Sequence, residues 1–196
     1  MKENPRREHI LRAGSECFAR FGYDKTTLED IGRRAGLNKA SLYYYFKNKE
    51  EIFIAVVLAE TGAFTADLQA KTLAFPDVRK QLRYYLTERI RRYREVAHLM
   101  RISADGLQHL GASFDEVTRK IKEKEVAFLT DLVRKAALES ALAVQEPSAS
   151  LAEHFFLLSD AFKHDATRAA GPFGSGDFDF EPGIAQVDYW VKILLR

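Results

Sequence analysis

A single cysteine in 196 residues excludes an intrachain disulfide, and with it the small stapled scaffolds of secreted domains. That residue, Cys17, falls in an apolar helical stripe, where burial and chemical inertness are expected rather than nucleophilic work. Long apolar runs are missing too. The longest, Ile52 to Ala59, is far too short to cross a bilayer. Residues 1–25 hold no continuous apolar core of a signal peptide, so a cytoplasmic location is expected, with no membrane partner. Alternating strand patterns are almost absent, as are internal repeats and low-complexity tracts. The five histidines form no readable serine–histidine–acid or cysteine–histidine set, so no catalytic residue is assigned and an enzyme is not expected.

What is present is helical periodicity, nearly from end to end. The expectation is an all-α chain of about nine helices: an N-terminal three-helix domain over 1–48, then a larger helical bundle over 49–196. A helix from about 48 to 70 links the two. Charge divides at the same place. Residues 1–49 hold 11 Lys+Arg against 6 Asp+Glu, a balance of +5. The remainder holds 19 against 22, a balance of −3. The positive excess therefore sits on the first domain, as a phosphate-binding module requires.

In that domain Ile10, Leu11, Gly14, Cys17, Phe18 and Phe21 recur at spacings of three and four and end at Gly22. Thr27 and Asp30 have the spacing of a capping box for a second helix with Leu28, Ile31 and Ala35 inward. Gly36 closes it, Leu37 staples the turn, and Asn38 is a good cap for a third helix. On this helix Leu42 and Phe46 face the core, while Lys39, Tyr43 and Lys47 share another face flanked by Asn38, Ser41 and Tyr44. Three consecutive tyrosines beside lysine and asparagine suit a DNA groove better than a solvated helix. Lysine donates to guanine acceptors and asparagine pairs with an adenine edge. Tyrosine hydroxyls, Lys49, and the Thr27 hydroxyl and amide are suited to phosphates. The competing reading is a small aromatic core. It is preferred for Phe46, and the choice is open for Tyr45. Lys47 fits a merely solvated role as well.

The run ILRAGSECFARFGYDKTTLEDIGRRAGLNKASLYYYFKNKEEIF resembles the N-terminal domain of the TetR family of bacterial transcriptional regulators over roughly residues 9–58. The features that carry it are F-x-x-x-G-Y, the paired threonines before D-I, A-G-L, and L-Y-Y-Y-F-K-N-K-E-E. Gly14 and Gly32 stand where the family usually has alanine, and each weakens a helix by ~1 kcal/mol relative to alanine. The resemblance implies an all-helical homodimer that offers two recognition helices to a palindromic double-stranded DNA operator. It also implies a C-terminal domain that binds a small-molecule effector and then releases DNA, as in a repressor. By position, Asn38, Lys39, Ala40, Tyr43 and Tyr44 become groove residues, and Thr27, Tyr45 and Lys49 phosphate contacts. Dimerisation falls to helices near 150–166 and 184–195. No cofactor is implied, and the identity of the effector is not.

Other patterns point elsewhere with less force. Arg79 to Arg101 is strongly basic, with Lys80, Arg83, Thr87, Arg91 and Arg94 on one side of a helix. A site for an anionic effector is one reading, and a solvated face paired to acidic helices is the preferred one. Asp160 and His164, near His154 and Asp165, have metal-ligand spacing, but two ligands on one helix do not close a site. Asp177, Asp179 and Glu181 alternate in a glycine-rich segment whose phenylalanines fit ion wrapping poorly. An effector-independent architectural or replication-associated DNA-binding protein, and a helical enzyme with a vestigial DNA-binding domain, are the alternative functions.

Overall fold

A computed structural model describes residues 4–96, 102, 104–169 and 179–195. Among them are eight α-helices, one 3₁₀ turn at Arg92–Glu95 and no strand beyond a single bridge between Leu142 and Leu195. The helices are α1 (Pro5–Lys25), α2 (Leu28–Arg34), α3 (Lys39–Tyr43), α4 (Lys49–Leu73), α5 (Val78–Arg91), α6 (Ala104–Leu138), α7 (Ser148–Ala169) and α8 (Glu181–Leu194). The fold is all-α, as the periodicity predicts. Val96, Leu99 and Met100 have the spacing of a further short helix, which falls largely outside the described residues, as does most of the acidic glycine-rich segment.

The chain forms two compact units, 1–62 with 96–119 and 63–95 with 120–196. In the first, Ile10, Phe18, Tyr23, Ile31, Leu42, Phe46, Ile52 and Phe53 make the core. Phe53 meets Phe18 edge-on at 5.1 Å and stacks near Phe114 at 6.3 Å. In the second, Leu82, Tyr85, Leu86, Leu129, Val133, Phe155, Val187 and Val191 fill the space among α5, the C-terminal half of α6, α7 and α8.

Several boundaries differ from expectation for identifiable reasons. α1 keeps its hydrogen bonds past Gly22 to Lys25, but Gly22 itself has φ 77° and breaks the regular helix there. Gly106 and Gly111, spaced as the punctuation of a connector, both fall inside α6; a Cβ at Gly106 would sit 2.5 Å from Asp24 Oδ1 and 2.7 Å from Ile102. The regular helix breaks at Gly111, with φ 46°. α6 stops at Leu138, where Ser140 takes φ 53° and the Ala141 amide returns to the Ala136 carbonyl at 2.9 Å. Ser150 and Glu153 have the spacing of a capping box, but α7 begins at Ser148, directly after Pro147, and both lie within the helix.

Candidate nucleic-acid interface

Each local stop and cap in residues 22–51 has a visible physical cause. The two threonines divide the labour. Thr26 is buried and its hydroxyl donates to the carbonyls of Gly22 (2.7 Å) and Cys17 (3.3 Å), tying the chain to α1. Thr27 caps α2: its Oγ1 accepts the Asp30 amide at 3.1 Å and donates to the Asp30 carboxylate at 2.6 Å, and its own amide donates to that carboxylate at 3.1 Å. These bonds from Thr27 hold the Asp30 carboxyl below its usual range. The Thr27 hydroxyl and amide, the groups expected to meet a phosphate, are both bonded to Asp30 in this structure.

After α2, Gly36 turns the chain at φ 62°. The Leu37 amide closes on the Gly32 carbonyl at 2.9 Å, and the Asn38 side chain accepts the Ser41 amide at 2.8 Å to start α3. Leu42 and Phe46 are buried beneath the helix, and Arg7 stacks its guanidinium 4.9 Å from the Phe46 ring centre. The opposite side is open. Asn38, Lys39, Ala40, Tyr43 and Tyr44 are all exposed; Tyr44 retains 82% of its accessible surface and Tyr43 46%. Tyr45 is half-buried, edge-on to Tyr44 at 5.0 Å. The Lys39 ammonium lies 3.2 Å from the Glu29 carboxylate, an exposed pair that a base edge can replace at little cost.

Lys47 does not share that face. α3 ends at Tyr43, and the Lys47 amide donates to the Glu51 carboxylate at 2.8 Å, at the start of α4 that Asn48 caps. Lys49 is half-buried and engaged. Its Nζ donates to the Tyr23 carbonyl at 2.9 Å and reaches the Asp24 carbonyl at 3.5 Å, with the Tyr23 ring centre 4.2 Å away. An ammonium has three donors, so one is left for a phosphate. Tyr23, whose hydroxyl donates to Glu50 at 3.1 Å, is held well above the usual phenol range by burial and that carboxylate. The spacing of residues suggested no partner for Lys49; the first-helix carbonyls it caps are set by the fold.

In the second unit most of the basic stretch is consumed. Arg83 forms a two-pronged pair with Asp188 (2.8 and 2.7 Å), and Arg92 bridges Asp67 and Glu95, each at 2.7 Å. Arg89 is 2% exposed, a position the charge pattern gave no sign of. It pairs with Glu125, donates to Ser159 at 2.8 Å and to Asp160 at 3.1 Å, and lies 4.2 Å from the Phe156 ring centre. Asp160 therefore faces Arg89 and Lys163. Among the described residues no three histidine, cysteine or acidic side chains gather as a metal site; the side chains of His164 and Asp165 lie outside that set.

The all-α architecture and the exposed third helix define a helix-turn-helix protein. Residues 10–56 match the family described as "Bacterial regulatory proteins, tetR family". The regulator RutR of Escherichia coli K12 is 38% identical over 65 residues, 33% of this chain and 31% of RutR, so the match spans about a third of that relative's length. A solved transcriptional regulator from Cytophaga hutchinsonii superposes with a TM-score of 0.80 at 25% identity over 96% of this chain and 98% of that one. SmeT of Stenotrophomonas maltophilia, solved as a complex with triclosan, superposes at 0.73 with 22% identity over 98% and 93%. The likeness to the TetR family thus rests on residues 10–56 in sequence and on the all-α fold beyond them.

Proposed function

We propose that this chain is a ligand-responsive transcriptional regulator that represses by binding a palindromic operator as a homodimer and lets go when a small-molecule effector binds. The observation that carries the reading is the α3 surface: Lys39, Tyr43 and Tyr44 stand exposed on a helix whose other side is locked by buried Leu42 and Phe46. Rings that large gain nothing from water and gain contact area in a major groove. Asn38, Lys39, Ala40, Tyr43 and Tyr44 read bases, while Tyr45 and the third donor of Lys49 anchor phosphates. Repression and ligand binding are supported by likeness: SmeT is described as the repressor of a multidrug efflux pump.

Homodimerisation is supported by large apolar side chains left exposed on two helices, Leu157 on α7 and Tyr189, Trp190 and Ile193 on α8. Two recognition helices must lie ~34–36 Å apart, or a multiple, to share a palindrome. α4 runs unbroken from Lys49 to Leu73 through both compact units, so tilting it changes that separation.

The test is footprinting of the DNA flanking the coding region with the full chain, at several salt concentrations. A protected palindrome is expected. Tyr43→Ala and Tyr44→Ala each weaken it about tenfold, since stacking and groove contacts of this kind contribute roughly 1–3 kcal/mol. Lys39→Ala relaxes sequence preference, whereas Lys49→Ala weakens all sequences and flattens the salt dependence. Equal behaviour of the two lysine variants would remove this division of roles, and the absence of any protected palindrome would remove the reading.

A further inference from the structure

The second unit contains a cavity of about 340 Å³ between α5 and α8, at the small end of the range of ligand sites. Its walls are unequal. One is apolar: Phe75 and Tyr84, with ring centres 4.9 Å apart, and Ile184. The other is charged, and almost all of that charge is spent. Arg83 is clamped by both oxygens of Asp188, a pairing that holds the Asp188 carboxyl below its usual range. Arg91 pairs with Glu88 and lies 3.8 Å from Glu181. The Thr87 hydroxyl bonds back to the carbonyls of Arg83 and Tyr84. Lys80 differs. It is exposed at the cavity and has no ion-pair partner among the described residues.

We propose that this α5–α8 cavity is the effector site, and that it takes a planar aromatic monocarboxylate, the ring against Phe75, Tyr84 and Ile184 and the carboxylate on Lys80. The assignment rests on the regulator reading above. One uncommitted ammonium matches one negative charge; a phosphate ester or a polyanion would call for the two arginines, which their carboxylates already hold. A cationic ligand finds the two lining carboxylates, Glu88 and Asp188, already paired with arginines and meets Lys80. The cavity also has a route to the rest of the molecule. Ile184 and Asp188 lie four residues apart on the inward face of α8, while Tyr189, Trp190 and Ile193 stand exposed on its outward face. A ring inserted beside the Arg83–Asp188 clamp therefore bears on the helix whose outer face is assigned to the dimer.

The experiment is calorimetric titration of the full chain with 1-naphthoate and with its neutral counterpart 1-naphthamide, alongside a mobility-shift assay on operator DNA with the same preparation. Saturable binding of naphthoate is expected, at least tenfold tighter than naphthamide. Lys80→Met should weaken naphthoate at least tenfold and leave naphthamide unchanged, while Lys80→Arg keeps naphthoate within about threefold. No saturable naphthoate binding, equal binding of acid and amide, or an unaffected Lys80→Met overturns the proposal. DNA binding without naphthoate binding defeats this site alone. Naphthoate binding by a protein that ignores DNA keeps the site and defeats the regulator reading.

Discussion

Gly14 illustrates how one side chain's absence is decided by its neighbours. Helix propensity alone favours alanine there by ~1 kcal/mol. In the structure a Cβ at Gly14 would lie 2.9 Å from Ile52 Cγ2, and Ile52 is fully buried and branched at Cβ. The methyl has nowhere to go without moving the α1–α4 contact, and overpacking of this kind costs typically ~1–3 kcal/mol. Gly14→Ala is therefore expected to destabilise the chain by about 1 kcal/mol net, read as a lower midpoint in urea. A raised midpoint would mean that the helix term wins. The sequence could expose the departure from alanine, but not its cause, because Ile52 is 38 positions away. Lys49 makes the same point: its carbonyl partners at Tyr23 and Asp24 belong to another helix.

At the scale of elements, α5, α6 and α7 are joined by buried charge. Burial alone would raise the Asp160 carboxyl, but Lys163 and Arg89 override it and bring it down to about 2. Burial pushes the Lys163 ammonium down to about 8, with Arg89 adding to the effect and Asp160 opposing it. The two act on stability in different windows. The Asp160 contribution is complete above its unfolded value near 3.8 and is lost as pH falls through about 2. The cost of holding Lys163 charged is complete below about 8 and is relieved as pH rises towards 10.5. Asp160→Asn should lower stability at pH 7 and flatten the acid loss between pH 4 and 2, measured by urea melts across that range. An unchanged acid limb would reassign it to other carboxylates. Arg89→Met should cost about 3–5 kcal/mol, since it strands Glu125 in the core; a melt within 1 kcal/mol of the parent would contradict that. Helix identity was legible here from periodicity. The burial of Arg89 was not, because Glu125 and Asp160 approach it from 36 and 71 positions away.

For the whole molecule, association is the property most open to test. Leu157, Tyr189, Trp190 and Ile193 stay 41–57% exposed, which a lone chain gains nothing by presenting to water. Replacing Trp190 and Ile193 together by aspartate should convert the proposed dimer to a monomer in sedimentation at micromolar concentration and weaken operator binding far more than either lysine change on the first domain. A double variant that sediments as the parent would move the interface elsewhere. The positive excess on residues 1–49 and the negative balance beyond them would concentrate attraction for phosphates on the first domain without making the whole chain a non-specific polycation.

The sequence by itself determined the local matters: an all-α chain, the breaks at Gly22 and Gly36, the caps Thr27 and Asn38, and the division of residues 38–46 into a buried pair and an exposed set. These depend on residues within one or two helical turns, where spacing and backbone chemistry suffice. Only the tertiary structure decided that the Thr27 donors are spent on Asp30, that Lys47 lies beyond α3, that Gly106 lies within a helix and Gly111 breaks it, that Arg89 is buried, and that Lys80, among the cavity's cations, has no ion-pair partner within the described residues. Those outcomes turn on packing and charge pairing, mostly across long stretches of chain, which a linear pattern does not encode.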